Sequence, residues 1–272
     1  MFDALFGSIG YIVRRPAVLL PAVVTALFSA ALFVAGFDLI MRFVWDALIV
    51  GILPEVSEIE MPYMLMRMYG TELGAIALLG VLNLAAGVWL IFVYGYLISG
   101  EKRGKATLGS AVGYAISRIW NVIYVSGFIV LIALLFMLLG IFTVWISSLP
   151  GIGIIGLPLM LITALAAMYV FIKFTFLPAV MAADDAKLKI GIVKTWKWSA
   201  GKLPGIILFL ILLSGIAGVV QQIGLIAAGF FEDEFFAFLA FAAFAVIANA
   251  YFSIAIVKYY TAAPAARRRR RR

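Results

Sequence analysis

The fold class that this sequence predicts is all-α: a polytopic bundle of six transmembrane helices arranged as three helical hairpins, each preceded by a cytoplasmic amphipathic helix. Three observations carry that reading. Apolar residues fill 66% of the 272 positions and charged residues only 12%, about half of the roughly 25% that a soluble domain carries. The mean hydropathy is +1.16, so lipid is the natural solvent for most of the chain. The charges that do occur are grouped between long apolar stretches, and the groups alternate in sign.

The apolar stretches lie at 16–41, 73–99, 122–146, 154–181, 204–230 and 235–260. At 1.5 Å per residue each is long enough to cross about 30 Å of hydrocarbon. Backbone groups in lipid must bond to one another, and uninterrupted apolar runs do so as helices. A β-barrel would need short segments of alternating polarity, which this sequence does not have. Residues 1–260 read as a single transmembrane domain, with 261–272 as a flexible basic tail.

Loop charges set the orientation. The leader, with Asp3, Arg14 and Arg15, sums to +1, and the segment holding Arg42, Asp46, Glu55, Glu58, Glu60, Arg67 and Glu72 to −3. Glu101, Lys102, Arg103, Lys105 and Arg118 give +3, and the 147–153 turn is uncharged. Asp184, Asp185 and five lysines up to Lys202 give +3, Glu232, Asp233 and Glu234 give −3, and Lys258 with Arg267 to Arg272 gives +7. Every basic group therefore falls on one side of a six-span chain. Basic loops stay in the cytoplasm, which predicts a cell-membrane protein with both termini cytoplasmic. The first span is too long for a cleaved signal and lacks a small-residue cleavage site.

Three stretches on the basic side have helical apolar spacing: 2–15, 108–120 and 190–199. With Trp, Tyr, Lys and Arg at their edges they read as interfacial amphipathic helices. Each leads directly into an odd-numbered span, so the chain repeats one unit three times: amphipathic helix, span, outer turn, span.

The segment 176–204 carries Pro178, Asp184, Asp185, Ile192, Trp196 and Lys202 at characteristic places, and Arg15-Pro16 is followed by Leu19, Leu20 and Pro21. In this pattern a span ends near Pro, an acidic pair follows, and a Trp-bearing helix leads to a basic residue and the next span. It resembles the glycerophosphoryl diester phosphodiesterase membrane-domain superfamily and related uncharacterised prokaryotic multi-pass proteins. That resemblance implies a membrane module of about six helices. It does not imply hydrolysis, which in members that have it belongs to a separate barrel domain.

Absent residue types limit the chemistry. There is no Cys and no His, which excludes disulfides, thiolate nucleophiles and imidazole bases. Phosphate-binding and zinc-protease motifs are missing. Gly151 to Gly156 spells a dinucleotide fingerprint by letters alone, with no strand before it. Glu232 to Glu234 lie too close together in sequence to converge on a metal ion. The expectation is a chain that is not an enzyme, with no cofactor and no metal.

What remains is a set of polar residues inside spans. Asn83 and Asn249 lie near the middles of the second and sixth, and Lys173 lies in the fourth. An intramembrane lysine is a functional candidate by default, so these three form the candidate polar site. The plainer readings are amide staples between helices for Asn83 and Asn249, and snorkelling for Lys173. Asp38, at the outer end of the first span, reads as hydrated. Arg267, Arg268, Arg269, Arg270, Arg271 and Arg272 can attract anionic phospholipid headgroups by about 1 kcal/mol each. They equally form an orientation signal; a soluble acidic partner or nucleic acid is the weaker reading, and another membrane protein is a further partner the chain could have. The function expected is a non-enzymatic lipid-interacting or accessory module. The alternative is a transporter for a small solute or lipid with its cavity near Asn83, Lys173 and Asn249.

Overall fold

The computed structural model describes residues 1–52, 60–101, 106–147 and 153–269. Among these residues every regular element is helical. Among the same residues, six helical stretches are long and apolar enough to span a membrane: Pro16–Phe37, Gly74–Glu101, Ile119–Ser147, Ile155–Asp184, Leu203–Ala228 and Phe235–Ala262. The protein is an all-α, multi-pass membrane protein.

Helix α1 (Phe2–Arg14) stops where Pro16 forces the preceding residue out of helical geometry, with Arg15 at φ −142° and ψ 73°. A 3-10 turn (Pro16–Leu19) then opens α2 (Leu20–Ile52). Its hairpin partner α3 (Glu60–Glu101) has 42 residues. At 1.5 Å per residue it is about 63 Å long, twice the hydrocarbon thickness. Helix α4 (Leu108–Ser117) begins at a reciprocal capping box between Thr107 and Ser110 and leads into α5 (Ile119–Ser147). The return span is not one helix. It runs as α6 (Gly153–Phe174), breaks at Thr175 and Phe176, and resumes as α7 (Leu177–Asp184). Sequence reading places Pro178 near the end of the fourth span; here it divides that span. Helices α8 (Leu188–Ser199), α9 (Leu203–Ala228) and α10 (Glu234–Arg269) complete the third unit. The helical backbone of α10 continues into the arginine run. The side chains of Arg267, Arg268 and Arg269, all of Arg270, Arg271 and Arg272, and the Asp38 side chain lie outside the described residues.

Consecutive spans pair as α2–α3, α5–α6 and α9–α10, and the helices that end the hairpins, α3, α7 and α10, touch one another. Their shared core, at the end of the bundle carrying the amino terminus, holds Phe92, Val93 and Tyr94, the stretch 177–182, and Ile254 to Val257. The short helices pack in rotation: α4 on α3, α8 on α6 and α7, and α1 on α10. Close approach depends on two glycines. A Cβ on Gly95 would stand 2.4 Å from Ala182 Cβ, and one on Gly191 would stand 2.6 Å from Met181 Cγ. Both lie well inside the separation of non-bonded carbons, so α7 lies this close to α3 and α8 because those positions lack a side chain.

Candidate functional site: a cavity between the hairpins

The buried triad of helices leaves a cavity of about 500 Å³ between the hairpins. Its wall takes Thr25 and Ser29 from α2, Asn83, Gly87 and Ile91 from α3, Ile129 and Ile132 from α5, and Phe171 and Phe174 from α6. Thr175 and Pro178 come from the break in the fourth span, and Asn249, Ser253 and Ile256 from α10.

Each polar group arrives for a local reason. Asn249 and Ser253 are four residues apart, as are Thr25 and Ser29, and Asn83 and Gly87, so each pair shares a helix face. Asn83 Oδ1 accepts a hydrogen bond from Ser29 Oγ at 2.5 Å, which leaves its amide NH₂ for the cavity. Asn249 is exposed although its neighbours Ala248 and Ala250 are buried at 1% and 0% exposure. Its amide has no hydrogen-bond partner among the described residues. A bare amide halfway along the most deeply packed span offers two donors and an acceptor to whatever fills the space.

The break in the fourth span belongs to this wall. Pro178 has no N–H to give the Phe174 carbonyl four residues earlier. Thr175 Oγ1 donates to the Phe171 carbonyl at 2.8 Å, a back-bond that also bends helices. Irregular backbone at membrane depth is tolerated where it is buried in protein or lines a cavity, and Phe174, Thr175 and Pro178 do line this one.

Two of the three intramembrane residues singled out in the sequence therefore meet, and the third does not. Lys173 is 4% exposed and lies outside the cavity. Its Nζ stands 3.7 Å from the centre of the Trp196 ring and 4.7 Å from that of Tyr169. The geometry is cation–π, and it ties α6 to α8. Neither cavity ligand nor lipid-bound snorkel describes it.

The segment below the cavity is fixed by carboxylates. Glu101, at the end of α3, accepts from Tyr11 Oη at 2.7 Å and pairs with Arg15. Asp185, ending α7, accepts from Tyr114 Oη at 2.8 Å and Arg118 at 2.7 Å. Tyr11 and Arg15, like Tyr114 and Arg118, are four residues apart at a junction between short helix and span. Each of these two hairpins thus clasps its own lead-in helix. Burial first, and then the hydrogen-bonded carboxylate, pushes both phenols up from their ordinary value. The third junction has Trp198 and Lys202 at the same spacing, with the ammonium 4.5 Å from the ring centre. Trp198 meets the Tyr260 ring at 5.3 Å. Here the carboxylate is borrowed from the second hairpin: Asp184 accepts from Tyr260 Oη at 2.8 Å and from Lys194 at 3.3 Å. Asp185 adopts the left-handed conformation, φ 49°, which directs the two adjacent carboxylates to different neighbours.

Sequence reasoning missed Thr25, Ser29, Thr175 and Ser253. The signal that finds them is the four-residue spacing of small polar groups inside otherwise apolar helices. Among the described residues no cluster of three or more acidic side chains is placed to hold a metal ion. No family model, curated protein or solved structure matches the chain.

Proposed function

We propose that this protein is a non-enzymatic module of the cell membrane that binds a small solute or lipid in the cavity between its hairpins, with both termini cytoplasmic. The observation that carries the proposal is the pair of intramembrane amides, Asn83 and Asn249, on the cavity wall beside a broken span. Cavities of about 300–1,000 Å³ lined by apolar groups and a few convergent polar ones are the usual form of small-ligand sites. Discontinuous helices beside such a space are how many transporters expose backbone to cargo. A carrier role follows if the hairpins move relative to one another around the cavity. The resemblance of 176–204 to a membrane-domain superfamily agrees with a module that works without a hydrolytic centre.

Native mass spectrometry of the detergent-purified chain tests this reading. Wild-type protein is expected to retain a co-purifying small molecule or lipid, and Asn249→Leu to lose it while still folding. Equal retention by both would remove the cavity from the function.

A second reading, a lipid-surface module, is supported by the exposed apolar side chains of α1: Phe2, Phe6, Ile9 and Val13. Such a face suits a lipid interface, and the arginine run would add attraction to anionic headgroups. Deleting 267–272 is then expected to weaken binding to anionic liposomes, with a reduced dependence on salt.

A further inference from the structure

The occupant of the cavity is narrowed by what the wall lacks and by what it leaves unused. We infer that the cavity receives an uncharged amphiphile. Its head is a hydroxyl, ester or ketone oxygen held by Asn83 and Asn249, and its chain lies along the apolar wall. This inference rests on the cavity being a ligand site, as proposed above.

Charge comes first. None of the residues lining the cavity is Asp, Glu, Lys or Arg, and the nearby buried Lys173 is committed to the Trp196 ring. A charged head entering here would lose its hydration and meet no opposite charge, the least favourable transfer open to a ligand. Uncharged heads avoid that cost.

The hydrogen-bonding inventory comes next. The Asn83 oxygen is occupied by Ser29. The hydroxyls of Thr25 and Thr175 already donate to the carbonyls of Ala22 and Phe171. What the wall has left to donate is the two amide NH₂ groups and the Ser253 hydroxyl, so the ligand must present acceptor oxygen. Asn249 keeps its own oxygen for a ligand hydroxyl. Nothing in this set selects for an ammonium or a phosphate.

Depth gives a third, independent constraint. Asn249 follows Phe235 by 14 residues and precedes Ala262 by 13 in a 28-residue span, so it sits about 20 Å from either end at 1.5 Å per residue. A phospholipid keeps its charged head at the interface, because charge at the bilayer centre is expensive. Only a molecule with a weakly polar head reaches Asn249 without dragging a charge through hydrocarbon. Ile91, Ile129, Ile132, Phe252 and Ile256 supply the remaining apolar wall for its chain.

The test uses the full chain in detergent micelles and follows thermal unfolding with four probes: 1-oleoylglycerol, decylbenzoquinone, oleate above its ionisation range, and hexadecane. The glyceride or the quinone is expected to raise the melting temperature by a few degrees in a saturable manner. Oleate and hexadecane are expected to need concentrations at least about tenfold higher. Response to the glyceride alone assigns a hydroxyl or ester head, and response to the quinone alone assigns a ketone. Asn249→Leu, which breaks no hydrogen bond within the described structure, is expected to remove the response and leave the unliganded melting temperature in place. Oleate matching the neutral probes would overturn the uncharged head, and hexadecane matching them would overturn the role of the amides. Either result leaves the cavity itself as a ligand site. Silence from all four probes, or an undiminished response in Asn249→Leu, would overturn the cavity reading as well.

Discussion

Along the fourth span, α6 and α7 are separated by only two residues, and both are built from apolar side chains. Ahead of its last turn, α6 turns large side chains outward: Leu157 is 74% exposed, and Leu161 and Ile162 are 62% exposed. In α7, Leu177, Ala179 and Val180 have no exposure at all, and Met181 has 1%. Hydropathy ranks the two segments as one continuous span, yet the first is open to the surroundings and the second is enclosed by protein. The difference lies in size and in what stands opposite. Helix α6 carries branched and long side chains suited to a fluid of acyl chains. Helix α7 alternates small residues with a few larger ones, and it meets glycine on α3 and on α8. In a bilayer, apolarity separates membrane from water; small size separates helix contact from lipid contact.

The strongest way to break this contrast is Gly95→Leu. The new side chain would occupy the space of Ala182, and overpacking of this kind costs about 1–3 kcal/mol or more. The expected outcome is loss of monodisperse protein after detergent extraction, or a large fall in melting temperature. Next is the clasp that ends α7. Asp185→Ala removes the acceptor for Tyr114 and Arg118 and keeps a side chain on a left-handed residue. Asp185→Gly removes the same acceptor but relieves the backbone, a difference of about 1 kcal/mol. Both variants should melt below wild type, with Ala below Gly; equal melting would mean that the backbone conformation contributes nothing.

A smaller effect sharpens the electrostatic side. The Tyr114 phenol is pushed above its unfolded value of about 10 by burial and by its bond to Asp185. Its contribution to stability is fully present below pH 10 and is lost as pH rises through the folded value. Denaturation at increasing alkaline pH should therefore cost wild type more than Tyr114→Phe. The smallest effect is expected on the lipid side of the comparison. Leu161→Ala on α6 should stay within about 0.5 kcal/mol, as surface substitutions do. A loss comparable to that of Gly95→Leu would show that α6 is covered by protein in the membrane.

Much of this architecture was legible in the sequence, because span length, loop position and hairpin order follow from hydropathy alone. The short helices α1, α4 and α8 fall where aromatic and basic residues flank apolar spacing. The break in the fourth span was not legible. Pro178 lies near the end of the apolar run, and only the packing of Phe174, Thr175 and α7 distinguishes an interruption from a terminus. Asn83 and Asn249 were visible as rare amides, but nothing in sequence places them on one cavity. Lys173 was misgrouped for the same reason: its distance along the chain from the membrane edge says nothing of the Trp196 ring that holds it. The clasp pattern, an aromatic residue followed four positions later by a base, was present in the letters and became meaningful only once the carboxylates were located.

The distribution of those carboxylates bears on how the chain is assembled. The first two hairpins each contain both halves of their own fastening: Tyr11 and Arg15 with Glu101, and Tyr114 and Arg118 with Asp185. Each set of partners is complete as soon as its second span has left the ribosome. Lys258 of α10 joins the first set only later, donating to the Gly7 carbonyl and standing 4.7 Å from the centre of the Tyr11 ring. The third set is not complete alone, because Tyr260 and Lys194 both reach for Asp184 of its predecessor. The order of synthesis therefore permits the same order of fastening, with the last hairpin meeting an acceptor that is already in place.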